Sequence, residues 1–291
     1  MFRGVYTALI TPFRENEDVD EEALRRLVDA QIAGGVSGLV PVGTTGESPT
    51  VSHDENIRVI EIVAAQAAGR VPVIAGTGSN STREAVEMTR RAKEVGANAT
   101  LQVTPYYNKP NQEGLYRHFT TVADEGGLPV LVYNIPGRTG RNIENATMLR
   151  MAEHPGIIGV KEASGSIPQM MDLIAGRPDG FCVLSGDDNL AFPLTAIGGD
   201  GVVSVASNAA PKQMSRMIKT ALDGDITGAR EQHYKLLPLF KGVFLDTNPI
   251  PIKYAMSLLG AAAEVYRLPL VGLDDAKKAE MREILKVVGL I

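Results

Sequence analysis

Lys161 directly follows Ile157-Ile-Gly-Val160, so its amine should stand near the tip of a buried strand. Burying an ammonium is costly, and desolvation lowers a lysine's pKa. A neutral amine among apolar walls is what attack on a substrate carbonyl requires. From position alone two other readings stay open: a lysine that reaches solvent, or one that pairs with Glu162. Tyr133 ends a second apolar run and would set a phenol beside that amine. Forming and dehydrating a carbinolamine needs a proton donor and acceptor, which a phenol supplies. Taken alone, Tyr133 is equally a core tyrosine with one hydrogen bond. Gly43-Thr-Thr-Gly-Glu47 offers backbone N–H groups and the hydroxyls of Thr44 and Thr45 on a turn that opens a helix. Such a nest suits a small carboxylate. It is too short for a Walker loop and lacks the Lys-Ser/Thr ending. Arg138, on a loop with Gly and Pro, would clamp a second carboxylate through parallel N–H bonds, unless it is simply a solvated loop charge.

Other chemistries find less support. His53, His118, His154 and His233 are far apart and form no ligand-spaced pair, so no metal is expected. There is no G-x-S-x-G elbow, which weakens a serine-hydrolase reading. Asp187-Asp188 would suit a metal or, equally, a turn after a strand. Met170-Met171 reads as core filler. The net charge of −5 without a basic block argues against nucleic acid or an acidic membrane surface as partner. Cys182 is the only cysteine and cannot form an internal disulfide, so the cytosol is expected. No secretory signal is expected from MFRGVYTALITPF, and no apolar run is long enough to predict a membrane helix.

The elements that must position these residues follow from hydrophobic pattern. Runs rich in Val, Ile and Leu lie at residues 5–10, 38–42, 71–75, 99–103, 129–133, 157–160, 181–184 and 201–205. Their spacing fits a strand, a helix and two short loops per repeat. They are continuous rather than alternating, as expected of parallel strands buried on both faces. Between them, residues 21–33 carry a helical stripe with Asp20 as N-cap, and Ser52-His-Asp-Glu55 and Ser81-Thr-Arg-Glu84 read as capping boxes. Gly69, Gly96 and Gly126 sit where helices should end. Eight strand–helix repeats predict an α/β fold, a closed (β/α)8 TIM barrel, rather than an open sheet. After the eighth run only helical periods follow. The expected division is a catalytic barrel over residues 1–224 and a C-terminal helical region over residues 225–291. In such a barrel the site lies at the C-terminal strand ends, where Lys161, Tyr133, Arg138 and the Gly43–Glu47 turn all fall.

These motifs, with Pro105-Tyr-Tyr-Asn-Lys-Pro110 and Tyr133-Asn-Ile-Pro-Gly-Arg-Thr-Gly140, resemble the dihydrodipicolinate synthase branch of the class I aldolases, which also holds N-acetylneuraminate lyase. The likeness runs over essentially the whole chain. It implies that Lys161 forms a Schiff base with pyruvate, whose carboxylate Thr44 and Thr45 bind. The derived enamine attacks L-aspartate 4-semialdehyde, whose amine then displaces Lys161 and closes the ring of 4-hydroxy-tetrahydrodipicolinate, on the diaminopimelate route to lysine. It implies a proton relay of Tyr133, Thr44 and Tyr107, with Tyr107 lent by an adjacent subunit in a homotetramer built as a dimer of dimers. Arg138 would hold the carboxylate of the semialdehyde, Val203 would offer a backbone carbonyl, and no cofactor is needed. Ser48, His53, Asn80, Glu84 and Tyr106 match the lysine pocket of feedback-inhibited members, although Asn56 stands where many of those carry histidine. Two alternatives remain: a pyruvate-dependent sugar-acid aldolase on the same scaffold, and a binding protein on an inactive barrel.

Overall fold

The computed structural model describes residues 2–291. Eight strands pair in parallel: β1 (Gly4–Ala8), β2 (Gly38–Val40), β3 (Ile74–Gly76), β4 (Ala99–Val103), β5 (Val130–Asn134), β6 (Ile157–Glu162), β7 (Cys182–Ser185) and β8 (Gly201–Ser204). Their order is β2-β1-β8-β7-β6-β5-β4-β3. The two ends of that order meet, because Leu39 bridges Val73 and the Gly76 N–H donates to the Pro41 carbonyl at 3.0 Å. The sheet is therefore a closed (β/α)8 barrel. Each of the eight apolar runs holds a strand. One is longer than expected: β6 runs through Glu162, so Lys161 lies within it rather than after it. Pairing on both sides explains the extension, since Lys161 is in register with Tyr133 of β5 and Leu184 of β7.

The barrel interior is filled by one side-chain cluster drawn from the strands, including Tyr6, Val40, Ile74, Leu101, Tyr133 and Val203. The helices pack outside, with α1 (Glu21–Ala33), α2 (His53–Ala67), α3 (Thr82–Glu94) and α4 (Gln112–Gly126) between the first five strands. Asp20 caps α1 by accepting the Ala23 N–H at 3.0 Å. Ser52 and Glu55 form both bonds of a capping box on α2. The second expected box is absent. Ser81 makes no side-chain cap on α3, and Glu84 binds the Ser79 hydroxyl and His53 instead. Gly126 is still helical, and the left-handed end of α4 falls one residue later at Gly127, with φ 75°. Gly69 and Gly96 take left-handed positions as expected, with φ of 72° and 96°.

The ring continues through α5 (Pro136–Thr139), α6 (Asn145–Ala152), α7 (Ile167–Gly176), α8 (Asp188–Ala196) and α9 (Pro211–Leu222). Three more helices then follow: α10 (Ile226–Gly242), α11 (Ile250–Leu258) and α12 (Asp275–Val287). They pack on the outer core through Leu239, Ile252, Met281 and Leu285. Among the described residues no helix is long and apolar enough to cross a membrane.

The β2–β3 seam depends on a glycine. A Cβ on Gly76 would stand 2.2 Å from the Val42 carbonyl oxygen and 2.9 Å from the Gly43 nitrogen, both backbone atoms that cannot swing away. Gly76→Ala should lower the unfolding free energy by about 1–3 kcal/mol, the usual cost of overpacking. A denaturant titration reads this directly, and an unchanged midpoint would show that the seam opens freely.

Candidate active site

Lys161 and Tyr133 face each other on adjacent strands at the C-terminal mouth of the barrel. The Lys161 Nζ lies 4.0 Å from the centroid of the Tyr133 ring. Lys161 is only 5% exposed. Burial pushes its pKa from the ordinary lysine value down to about 8, while nearby Asp187 and Asp188 pull upward and Arg138 adds to the lowering. Solvation by water is what stabilises the charged form, so an amine held here is easily made neutral. Pairing with Glu162 does not occur. That carboxylate accepts the Ser164 N–H at 2.6 Å and the Asn134 carboxamide at 3.0 Å, because successive strand residues point to opposite faces. Gly186 leaves room for the lysine stem: a Cβ there would stand 2.6 Å from the Ala163 Cβ and 3.3 Å from the Lys161 Cε.

Burial raises the pKa of the Tyr133 phenol, with Arg138 and the neighbouring Thr44 hydroxyl working against the shift. The phenol therefore stays protonated at neutral pH and can hand its proton to an oxygen bound beside Lys161. The Thr44 and Thr45 turn lies next to it. A single turn of 3-10 helix covers Thr44–Gly46. The Gly46 and Glu47 N–H groups close that turn onto Gly43 and Thr44 at 3.0 and 3.1 Å, whereas the amides of Thr44 and Thr45 take no partner among the described residues. The Thr45 hydroxyl accepts the Asn248 carboxamide at 3.0 Å, which leaves its own proton to donate. Two free amides and a hydroxyl donor make a socket for a small anion.

Arg138 stands on α5 and donates to the Asn248 carbonyl at 3.3 Å. Asn248 thus ties Arg138 to the Thr44–Thr45 turn. Reading the sequence did not single it out, and the only local signal is an Asn-Pro pair ahead of α11. Asp187 and Asp188 separate into two environments. Asp188 is buried and accepts the N–H groups of Val205 and Ala206 at 3.0 and 2.9 Å, which secures the exit of β8 beyond Val203. Asp187 remains half-buried near Lys161, and burial raises its pKa. Among the described residues no group of three His, Cys, Asp or Glu side chains converges on one point.

A cavity of about 430 Å³ borders this centre and is lined by Thr44, Tyr133 and Arg138, but not by Lys161 or Thr45. It continues to Ser48, His53, Glu84 and Tyr106. Asn80 is not among its lining residues; its carboxamide donates to the Tyr106 carbonyl at 3.2 Å. Asn56 does line it, with an unpartnered and buried Oδ1. Tyr107 is 90% exposed and is not brought to Lys161 within the chain. Its backbone is left-handed, with φ 71°, and its loop is braced by Asn108 donating to the Asn80 carbonyl at 2.8 Å.

A family model described as the dihydrodipicolinate synthetase family matches residues 1–288. The chain belongs to the dihydrodipicolinate synthetase family. A 4-hydroxy-tetrahydrodipicolinate synthase of Pelobacter propionicus is 50% identical over 291 residues, covering 100% of both chains. Solved family structures superpose closely. The chloride-inhibited dihydrodipicolinate synthase of Acinetobacter baumannii, complexed with pyruvate, has a TM-score of 0.98 at 43% identity and covers 100% of both chains. The synthase of Cyanidioschyzon merolae, with lysine bound, has a TM-score of 0.97 at 40% identity and covers 100% of this chain and 99% of that one.

Two measurements test the state of Lys161. Covalent capture of a small 2-keto acid should speed up as pH rises through about 8, where the amine loses its proton, and level off above. Borohydride trapping against pH reads this, and a flat profile would refute a titrating amine. A lysine whose pKa is lower folded than unfolded destabilises the fold at every pH below the folded value. The penalty fades as pH climbs from about 8 toward the ordinary value of 10.5. Lys161→Met should therefore gain up to about 3 kcal/mol of stability at neutral pH, at 1.36 kcal/mol per pKa unit. A lower melting temperature would contradict the assigned burial cost.

Proposed function

We propose that this chain is a Schiff-base-forming lyase that condenses pyruvate with L-aspartate 4-semialdehyde to give 4-hydroxy-tetrahydrodipicolinate on the diaminopimelate route to lysine. The observation that carries the reading is a desolvated Lys161 amine against the Tyr133 ring, beside a turn with two free amides. Membership of the family and full-length likeness to a 4-hydroxy-tetrahydrodipicolinate synthase support the reaction over cleavage of a sugar acid.

The residues take the following roles. The Thr44 and Thr45 amides and hydroxyls hold the pyruvate carboxylate, which orients the keto carbon toward Lys161. The neutral amine adds to that carbon, and Tyr133 gives a proton to the departing oxygen as water leaves. Loss of a methyl proton makes the enamine, whose carbon attacks the aldehyde. Arg138 grips the carboxylate of the semialdehyde, and the Val203 carbonyl faces the bound substrates. The amine of the semialdehyde then displaces Lys161, closing the ring and freeing the enzyme. Tyr107 completes the proton path from a second copy of the chain in a tetramer of paired dimers. Its 90% exposure and its strained backbone support a side chain held ready for a neighbour. The cytosol is the compartment we assign, supported by Cys182 being a buried free thiol.

The arm of the cavity reaching Ser48, His53, Glu84 and Tyr106 takes L-lysine as an inhibitor in this reading, with Asn80 behind Tyr106. Glu84 would meet the ammonium groups, and the unpartnered Asn56 Oδ1 offers a further acceptor. The lysine bound to the Cyanidioschyzon merolae structure supports such an occupant.

Lys161→Ala should abolish the borohydride-trapped pyruvate adduct, and peptide mapping of a retained adduct would move the nucleophile elsewhere. Tyr107→Phe should slow turnover while leaving that adduct intact; an unchanged rate would remove Tyr107 from the proton path. Faster turnover of N-acetylneuraminate or 2-keto-3-deoxygluconate than of the semialdehyde would replace the assignment with a sugar-acid aldolase. Activity that stays flat as L-lysine is titrated into the millimolar range would remove the inhibitor site.

A further inference from the structure

The Gly43–Glu47 turn is bounded on both sides by left-handed residues that are not glycine. Val42 has φ 54° and Glu47 has φ 55°. For a β-branched residue such as Val42 this is a true outlier, and such backbone persists only where its surroundings hold it. On the Val42 side the holder is the tight β2–β3 seam at Gly76. On the other side it is Glu47 itself. Its side chain is buried, and its Oε1 lies 2.5 Å from the Nζ of Lys253, which is also buried. Its Oε2 accepts the Arg267 N–H at 3.2 Å. Both oxygens are thus engaged.

Lys253 lies on α11, and Arg267 follows it in the chain. The Lys253 Nζ and the Arg267 Cζ lie 4.2 and 4.4 Å from the centroid of the Phe13 ring. Arg267 is itself anchored by Glu55 at 2.5 Å and by the Thr50 carbonyl at 2.8 Å. The C-terminal helical region therefore grips the turn from outside the barrel. An ion pair this dry is weak evidence for stability, because desolvation consumes most of its Coulombic gain. Its value must be sought in the geometry it imposes.

We infer that the buried Glu47–Lys253 pair is a positioning couple: it holds the left-handed end of the turn so that the free Thr44 and Thr45 amides converge on the substrate carboxylate. This deepens the reading above and rests on Thr44 and Thr45 being the carboxylate socket. The couple touches no reacting atom, so its loss should weaken keto-acid binding and spare the amine.

The test uses the full-length enzyme with pyruvate as probe. Glu47→Asp keeps the charge but withdraws the carboxylate by one methylene. The double variant Glu47→Gln with Lys253→Met removes both charges, so no lone buried charge is left behind. Each should raise the pyruvate concentration for half-maximal borohydride trapping by about ten-fold, while the trapping rate at saturation stays within about three-fold of the parent. Loss of stability alone would lower the amount of active enzyme without moving the half-saturation point. Either variant, folded by circular dichroism and half-saturating like the parent, overturns the proposal. Thr45→Val, measured alongside, separates the two claims. If it leaves half-saturation unchanged, the socket reading fails. If it raises half-saturation and the Glu47 variants do not, only the positioning couple fails.

Discussion

Water is kept from Lys161, and the rest of the molecule is arranged around that exclusion. An amine in solution is an ammonium at neutral pH and cannot attack a carbonyl. Closing eight short strands into a barrel puts the C-terminal end of β6 against the Tyr133 ring and beside β7, with Gly186 leaving space for the lysine stem. The fold carries the cost of that buried amine, and the many small apolar contacts of the interior and outer clusters offset it. Stability and reactivity pull in opposite directions at this one nitrogen, which is common where catalytic groups are tuned by burial.

A neutral amine alone would be indiscriminate. The turn beside it presents two free main-chain amides rather than a cation. That choice matters electrostatically. A second lysine or an arginine within contact distance would lower the Lys161 pKa further, whereas amide dipoles hold a carboxylate with no net charge. The one arginine at the mouth, Arg138, stands on a separate short helix and reaches Asn248 instead of Lys161. Asn248, Lys253 and Arg267 all come from the chain beyond the barrel, and all reach the turn or its neighbours. The C-terminal helices are thus part of the site's framework rather than an appendage to it.

The cavity joins two chemically different ends. One is the wall formed by the Tyr133 phenol, Thr44 and Arg138. The other is a more open region where His53 sits 2.6 Å from Glu84. Thr44 and Tyr106 line the same space, and Tyr107, next in the chain, faces outward in a left-handed conformation.

Much of this was legible in the residues themselves. Continuous apolar runs at strand–helix spacing determine the barrel, because parallel strands buried on both faces have no polar side to alternate with. The same runs point to Lys161, Tyr133 and the Gly43–Glu47 turn as strand-end residues. Local signals failed where a tertiary partner outbid them. Glu84 abandoned its capping box for Ser79 and His53, and Lys161 was drawn into β6 by pairing on both sides. What only the three-dimensional structure decided are pairings between residues some 200 positions apart, such as Asn248 with Thr45 and Lys253 with Glu47. Such contacts leave no period or spacing in the chain. They exist because barrel closure and the packing of α11 bring those residues together, and the depth of burial that lowers the Lys161 pKa is likewise a property of the packed whole.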